Sequence, residues 1–239
     1  MAEAVENVLK SYGVSVITGA GLKEIKEGTA VYTKNGEEDT LDGDAILLAT
    51  GRGPNTEGLH AERAGVELTK RGAVVTDKHL RTTAENIWAA GDVCGNLQFT
   101  YISLDDSRII LSDMQGDGSR TTENRGAFAY SVFMEPSFSR AGLSEKEAAD
   151  KGLNYRVVRM NTDMIPKAKV LRKTTGMLKA VIDKDSGKIL GAALFCPESY
   201  EIINMVKLAM DHDLDYTVLR DFIYTHPTMS EGLNDLFAL

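Results

Sequence analysis

The sequence predicts an α/β fold that gives way to an α+β module, and three observations carry this. The chain opens with a helix joined to a short strand by one glycine. Two later apolar runs read as strands buried on both faces. Beyond a polar stretch at 116–125, capped helices alternate with strands.

Taken in order, residues 1–12 place Val5, Val8, Leu9 and Tyr12 on one helical face, and Gly13 stops the helix before the short strand Val14–Ile17. Such a pair closes a βαβ unit whose opening piece is absent, so the sequence reads as starting mid-unit. Leu22–Glu27 and Thr29–Thr33 alternate like antiparallel strands, turned at Glu27-Gly28 and Asn35-Gly36. Asp44–Thr50 is a continuous apolar run ended by Gly51, as a strand buried on both faces would be. A loop to Thr56, a short helix at Leu59–Ala64 and brief strands at Gly72–Thr76 and Ile87–Ala90 follow. Tyr101–Gln115 is a helix with Ile102, Ile109 and Ile110 among its apolar positions. The polar, turn-rich segment Gly116–Arg125 marks a domain boundary. From Ala127 onward the spacing predicts a capping box at Ser144–Glu147, strands at Tyr155–Met160, Met177–Ile182 and Lys188–Phe195, and a helix at Ser199–Met210. A short helix at Thr217–Ile223 and a second capping box at Thr228–Glu231 close the chain.

Composition narrows the partners. The 239 residues carry 27 Lys plus Arg against 35 Asp plus Glu, a net charge of −8, with 43% apolar and 26% charged residues. That is globular composition and excludes disorder, collagen or coiled coil for the whole chain. A pI near 5.1 argues against nucleic acid or an anionic membrane surface as the main partner. No apolar run approaches the roughly 18 residues of a membrane helix, and the N-terminus lacks the basic start and apolar core of a signal peptide. The two isolated cysteines, Cys94 and Cys196, form no disulfide framework and read as buried thiols. The expected location is cytoplasmic.

Two strings carry chemistry. The first is Thr82–Asp92 (TTAENIWAAGD), in which a strand delivers Gly91 and Asp92 to its carboxyl end, where α/β sheets bind ligands. Gly91 allows close approach of a ligand to the backbone, and Asp92 offers a carboxylate to a sugar or polyol hydroxyl. The helix beginning near Tyr101 points its N-terminal amides at the same region. The second is Tyr224–Glu231 (YTHPTMSE), where Pro227 biases His226 to extended backbone and Glu231 follows five residues on. Asp211-His212-Asp213 reads as a solvated helix end, because adjacent residues do not converge on a metal. His60 and His79 read as surface residues, and no metal site is expected.

These strings resemble the pyridine nucleotide–disulfide oxidoreductases, the family of glutathione reductase, dihydrolipoamide dehydrogenase and mercuric reductase. The first looks like the family's second flavin motif, whose aspartate holds the ribityl hydroxyls of FAD; the resemblance gives that role to Asp92. Ala49, Thr50 and Gly51, within ATGRGPNT, resemble the family's Ala-Thr-Gly segment beside the flavin nucleotide. Thr100 and Tyr101 are expected as neighbours of the flavin ring, with the helix stabilising negative charge on its pyrimidine edge. The HPTMSE string matches the family's catalytic motif, in which a carboxylate (here Glu231) orients an imidazole (His226) acting as general acid–base toward a thiolate.

The resemblance also locates what is missing. No Gly-x-Gly-x-x-Gly phosphate loop and no Cys-x4-Cys redox pair occur. By resemblance, residues 1–40 correspond to the end of an NAD(P)-binding domain, 41–118 to the later part of an FAD-binding domain, and 119–239 to the interface, or dimerisation, domain. The expected fold is thus an α/β remnant of nucleotide-binding domains followed by an α+β interface domain. The expected function is that of a C-terminal part of an FAD- and NAD(P)H-dependent oxidoreductase acting on a disulfide, metal ion or oxidant, inactive alone and binding FAD weakly or not at all. The alternative is a non-catalytic homodimerisation module that retains the motifs. Gln98–Asp106 and Cys196–Asn204 most resemble the bacterial reactive-chlorine resistance group near mercuric reductase, whose own paired C-terminal cysteines are absent. A symmetric homodimer through 119–239 is expected, with His226 and Glu231 serving the partner's flavin and disulfide.

Overall fold

In the computed structural model, which describes residues 1–239, the chain packs as two units, 20–125 and 1–19 with 126–239. In chain order the elements are α1 (Ala2–Ser11), β1 (Ala20–Lys26), β2 (Thr29–Lys34), β3 (Glu37–Asp42), α2 (Thr100–Gln115), β4 (Ala129–Val132) and β5 (Phe138–Gly142). They continue with α3 (Glu145–Asp150), β6 (Tyr155–Asn161), α4 (Pro166–Leu171), β7 (Met177–Asp183), β8 (Ile189–Phe195), α5 (Ser199–Asp211), α6 (Thr217–Arg220) and α7 (Gly232–Ala238).

In the unit 20–125, β1, β2 and β3 form an antiparallel meander. Both hairpins turn on the two residues that the sequence marks. Glu27 and Gly28 have φ of 47° and 85°, and Asn35 and Gly36 have 53° and 86°, the double positive φ of a type I′ turn. A bulge between Leu22 and Glu24 shifts the β1–β2 register. The 16-residue helix α2 starts one residue before the expected Tyr101 and ends at Gln115 as read.

Four expected strands do not form. Val14–Ile17 is irregular, Asp44–Thr50 is unpaired and exposed, with Leu47 89% accessible, and Ile87–Ala90 makes only the single bridge Arg81↔Trp88. Gly72–Thr76 likewise reduces to the bridge Leu68↔Val74, and the helix expected at Leu59–Ala64 is the short 3-10 turn Ala61–Ala64. A strand exists only where a neighbour accepts its ladder of hydrogen bonds, and no strand of this chain lies beside these runs. The cores of this unit are correspondingly small: Ala61 with Val66 and Val74, and Leu80 with Cys94 and Ile109.

The other unit holds a five-stranded antiparallel sheet in the order β4-β5-β8-β7-β6. The expected strands at 155–160, 177–182 and 188–195 all form, whereas β4, β5 and α4 went unread. One sheet face supplies Leu178, Ala180 and Leu194 to a core completed by Ile202, Ile203 and Val206 of α5 and Leu233, Leu236 and Phe237 of α7. α3 opens with the complete capping box: Ser144 Oγ accepts the Glu147 N–H at 3.1 Å, and Glu147 Oε2 accepts the Ser144 N–H at 2.7 Å. α5 begins at Ser199 and runs one residue past the expected Met210.

Candidate functional site

The first group of site residues lies in the unit 20–125. The chain reaches Ala90 in extended conformation, then turns through the 3-10 segment Gly91–Cys94. Gly91 has φ +76°, and a Cβ there would lie 2.9 Å from Ser103 Oγ in the first turn of α2, so only glycine lets the turn rest against the helix. The Gly91 N–H donates to Asp106 Oδ2 at 2.8 Å. Asp92 follows with its side chain 44% accessible and Oδ2 3.7 Å from Arg52 Nη1. Arg52 thereby brings the exposed segment Ala49-Thr50-Gly51 beside the turn. Within the ATGRGPNT string, sequence reasoning gave Arg52 no role.

Helix α2 meets this turn with its N-terminal end. Its N-cap residue, Phe99, makes no side-chain cap hydrogen bond, unlike Ser144 of α3, and the positive end of the helix dipole lies at this turn. Thr100 and Tyr101 stand exposed there, the tyrosine 75% accessible. Further along, Asp113 accepts two 2.7 Å hydrogen bonds from Arg81 and one at 2.9 Å from Trp88 Nε1. The Arg81 bonds hold the Asp113 carboxyl below the usual carboxylate range. This ties the TTAENIWAAGD string to the far end of α2.

The second group lies in the other unit. His226 Nδ1 is 2.9 Å from Glu231 Oε2, with the imidazole 73% accessible and the carboxylate only 13%. The His226-Pro227 peptide is cis. Asn234 Nδ2 on α7 donates to the carbonyls of Leu219, Arg220 and Phe222 at 3.1, 2.7 and 3.0 Å, fastening the approach to the loop. Tyr224 Oη donates to Leu219 O at 3.1 Å, and burial pushes its phenol well above the usual value. Met229, 1% exposed, anchors the loop in the core.

The second expected capping box does not form, because α7 begins at Gly232 with Glu231 as its N-cap. The Glu231 N–H donates to Thr228 Oγ1 at 3.3 Å, but the Glu231 carboxylate turns to His226 instead of the Thr228 backbone. With Nδ1 engaged by a carboxylate, Nε2 is the ring nitrogen left to exchange a proton with a group in solution. Asp211 bonds Lys207 and the Ala127 N–H, and Asp213 bonds Lys188. Both cysteines are buried, and desolvation pushes Cys94 up to about 11 and Cys196 up to about 12.

Residues 1–107 match the pyridine nucleotide-disulphide oxidoreductase family, and residues 128–237 match the dimerisation domain of the same family. The chain belongs to the pyridine nucleotide-disulphide oxidoreductases. It is 47% identical over 239 residues to the probable pyridine nucleotide-disulfide oxidoreductase RclA of Escherichia coli K12, covering all of this chain and 54% of RclA. It is 34% identical over 238 residues to a mercuric reductase of Staphylococcus aureus, covering 98% of this chain and 43% of that enzyme. The structure of HOCl-induced flavoprotein disulfide reductase RclA from Escherichia coli superposes with a TM-score of 0.91 at 46% identity, over all of this chain and 55% of that one. The chain thus spans about half the length of these relatives. No helix is long and apolar enough to cross a membrane.

Members of this oxidoreductase family are FAD- and NAD(P)H-dependent flavoproteins, and the residues present suit part of such a cofactor. Asp92 offers a half-exposed carboxylate to polyol hydroxyls, and the uncapped start of α2 offers N–H groups and partial positive charge to an electron-rich ring edge.

Sequence reasoning missed Asp105 and Asp106, both buried on α2. Asp105 accepts from Arg120 Nε at 3.0 Å, and Asp106 Oδ1 accepts from Arg125 Nη2 at 2.7 Å. Their spacing was readable: with Ile102 and Ile109 they complete the i, i+3, i+4, i+7 stripe that turns inward.

Proposed function

We propose that this chain carries the second flavin-contacting motif, the dimer interface and the acid–base pair of an FAD-dependent oxidoreductase that takes hydride from NAD(P)H. The observation carrying the reading is the His226–Glu231 pair: a carboxylate only 13% accessible, 2.9 Å from Nδ1 of an exposed imidazole. Such a pair fixes the tautomer and aims Nε2 at a reacting group. Bound FAD would relay electrons from the nicotinamide to a redox disulfide contributed outside this chain. Asp92 would hold the ribityl hydroxyls, and Ala49, Thr50 and Gly51 would line the nucleotide. Thr100 and Tyr101 would border the ring at the α2 N-terminus. His226 would hold the proton that a thiol gives up as its disulfide partner is reduced, and return it on the reverse step.

The interface domain would pair symmetrically, placing His226 and Glu231 against the partner's flavin and disulfide. The electron acceptor belongs to the class of small disulfides, metal ions or oxidant-derived species; the HOCl-induced, Cu(II)-binding structures of the Escherichia coli relative favour the last two. The test is the visible spectrum of the purified gene product that carries this chain, followed by assay of its His226→Ala variant. Flavin absorbance is expected, together with a loss of about 10²–10⁴ in disulfide turnover while flavin is retained. A colourless gene product would leave only the reading of a non-catalytic dimerisation module, and undiminished turnover in His226→Ala would remove the acid–base assignment.

A further inference from the structure

Helix α2 commits its buried face to two carboxylates. Asp106 is 3% exposed and Asp105 7%. Buried ion pairs add little net stability, because desolvation offsets the attraction, and an apolar pair could fill the same space. A carboxylate can do what a leucine cannot: accept a backbone N–H at a fixed point. Asp106 does this for Gly91 at 2.8 Å, while its other oxygen takes a 2.7 Å hydrogen bond from Arg125. Arg125 is itself steadied by Asp105, whose Oδ2 is 3.4 Å from Arg125 Nε. The Gly91 turn is therefore held on two sides, by this hydrogen bond and by the close approach of Ser103. Asp92, the next residue, is left with an accessible carboxylate beside the uncapped start of α2.

We propose that Asp106, braced by Arg125, is the positioning residue for Asp92. It fixes the Gly91–Asp92 turn on α2 so that the Asp92 carboxylate faces the polyol hydroxyls of the cofactor. Asp106 touches no ligand and acts only through that turn. The inference rests on the flavin reading given above.

The experiment is a double-mutant cycle on FAD affinity in the flavin-loaded gene product, using Asp92→Ala, Asp106→Ala, Asp106→Asn and the double alanine variant, with melting of each apoprotein alongside. Asp106→Ala should weaken FAD about tenfold, or about 1.4 kcal/mol. Asp106→Asn should recover part of this, since its amide oxygen still accepts the Gly91 N–H. Once Asp92 is alanine, Asp106→Ala should cost nothing further, because a residue acting through Asp92 then has nothing left to position. Wild-type affinity in Asp106→Ala, or full additivity of the two losses, overturns the inference. If the flavoprotein tolerates Asp92→Ala without loss of affinity, the Asp92 role and this inference fall while the oxidoreductase reading stands. A gene product without flavin overturns both. Where Asp106→Ala does not fold, the cycle runs with Asp106→Asn, and its coupling to Asp92 decides in the same way.

Discussion

A charge at Val206 tests how the interface unit is built. Val206 is fully buried on α5, which packs on the sheet, whereas Leu208, two residues on, is 59% exposed. From sequence alone a charge at Val206 is expected to damage either the core or a dimer; its burial within one chain selects the core. Val206→Asp loses about 1.5–3 kcal/mol of apolar transfer. Burial also raises the new carboxyl's pKa by about 3–5 units, which at 1.36 kcal/mol per unit is about 4–7 kcal/mol at a pH above the shifted value. The sum, about 5–10 kcal/mol, rivals the whole stability of a typical domain. The sign with pH follows: a folded-state pKa above the unfolded value makes the penalty smallest near pH 4 and growing as pH rises toward the raised value. Leu208→Asp should shift stability by no more than about 0.5 kcal/mol. Urea unfolding followed by circular dichroism measures both, at two protein concentrations and two pH values. A Val206→Asp deficit below about 1 kcal/mol, or one that disappears at high protein concentration as a dimer effect would, refutes the core assignment.

Other outcomes follow from the same structure. Cys94 and Cys196, pushed up to about 11 and about 12 by burial, should resist alkylation at neutral pH and react only on unfolding; labelling with iodoacetamide and mass spectrometry reads this directly. Ser144→Ala should cost about 1 kcal/mol, read by thermal melting. The Ser144 bonds hold the Glu147 carboxyl down at about 2, against a usual 4.5, so the variant should also lose part of the stability that disappears as pH falls from 4.5 toward 2. Because half of Glu147 is solvent-accessible, that pH-dependent part is small. The 239-residue chain should scatter light as a dimer at micromolar concentration, a clean 26.0 kDa monomer being the refuting result. FAD titrated into that chain should quench with no submicromolar affinity.

Local signals were legible where local physics decides. Gly28 and Gly36 supply positive φ to two hairpins, Ser144 and Glu147 share a complete capping box, and the apolar faces of α1, α2 and α5 follow helical spacing. Asp44–Thr50 and Ile87–Ala90 show the limit. Continuous apolarity reports that a run would tolerate burial on both faces, but not that a neighbouring strand exists to bond it. The strands β4 and β5 went unread for the opposite reason. AYSV and FSRAG are short and rich in small or polar residues; β5 forms on the long edge that β8 offers, Phe138↔Phe195 through Gly142↔Gly191, and β4 in turn pairs with β5. The buried aspartates of α2 escaped because their residue type argues for the surface, while their spacing and the arginines at 120 and 125 argue for the interior.

The two Ser/Thr-x-x-Glu strings of the interface unit carry this further. Ser144–Glu147 and Thr228–Glu231 have the same pattern, yet Ser144 is the N-cap of α3 whereas α7 starts at Gly232 with Glu231 as its N-cap, and only the first string closes a box. At the second, the hydroxyl still accepts the Glu231 N–H, and the carboxylate is drawn instead to His226. Glu231 Oε1 is left buried without a hydrogen-bond partner. A turn that leaves a buried carboxylate oxygen unsatisfied is locally unfavourable. The imidazole five residues upstream is the group that gains from it. Local rules are expected to break where a residue serves a reaction instead of its own helix. Under the proposed function His226–Glu231 is such a place, whereas Ser144–Glu147, with no histidine at the matching position, closes its capping box.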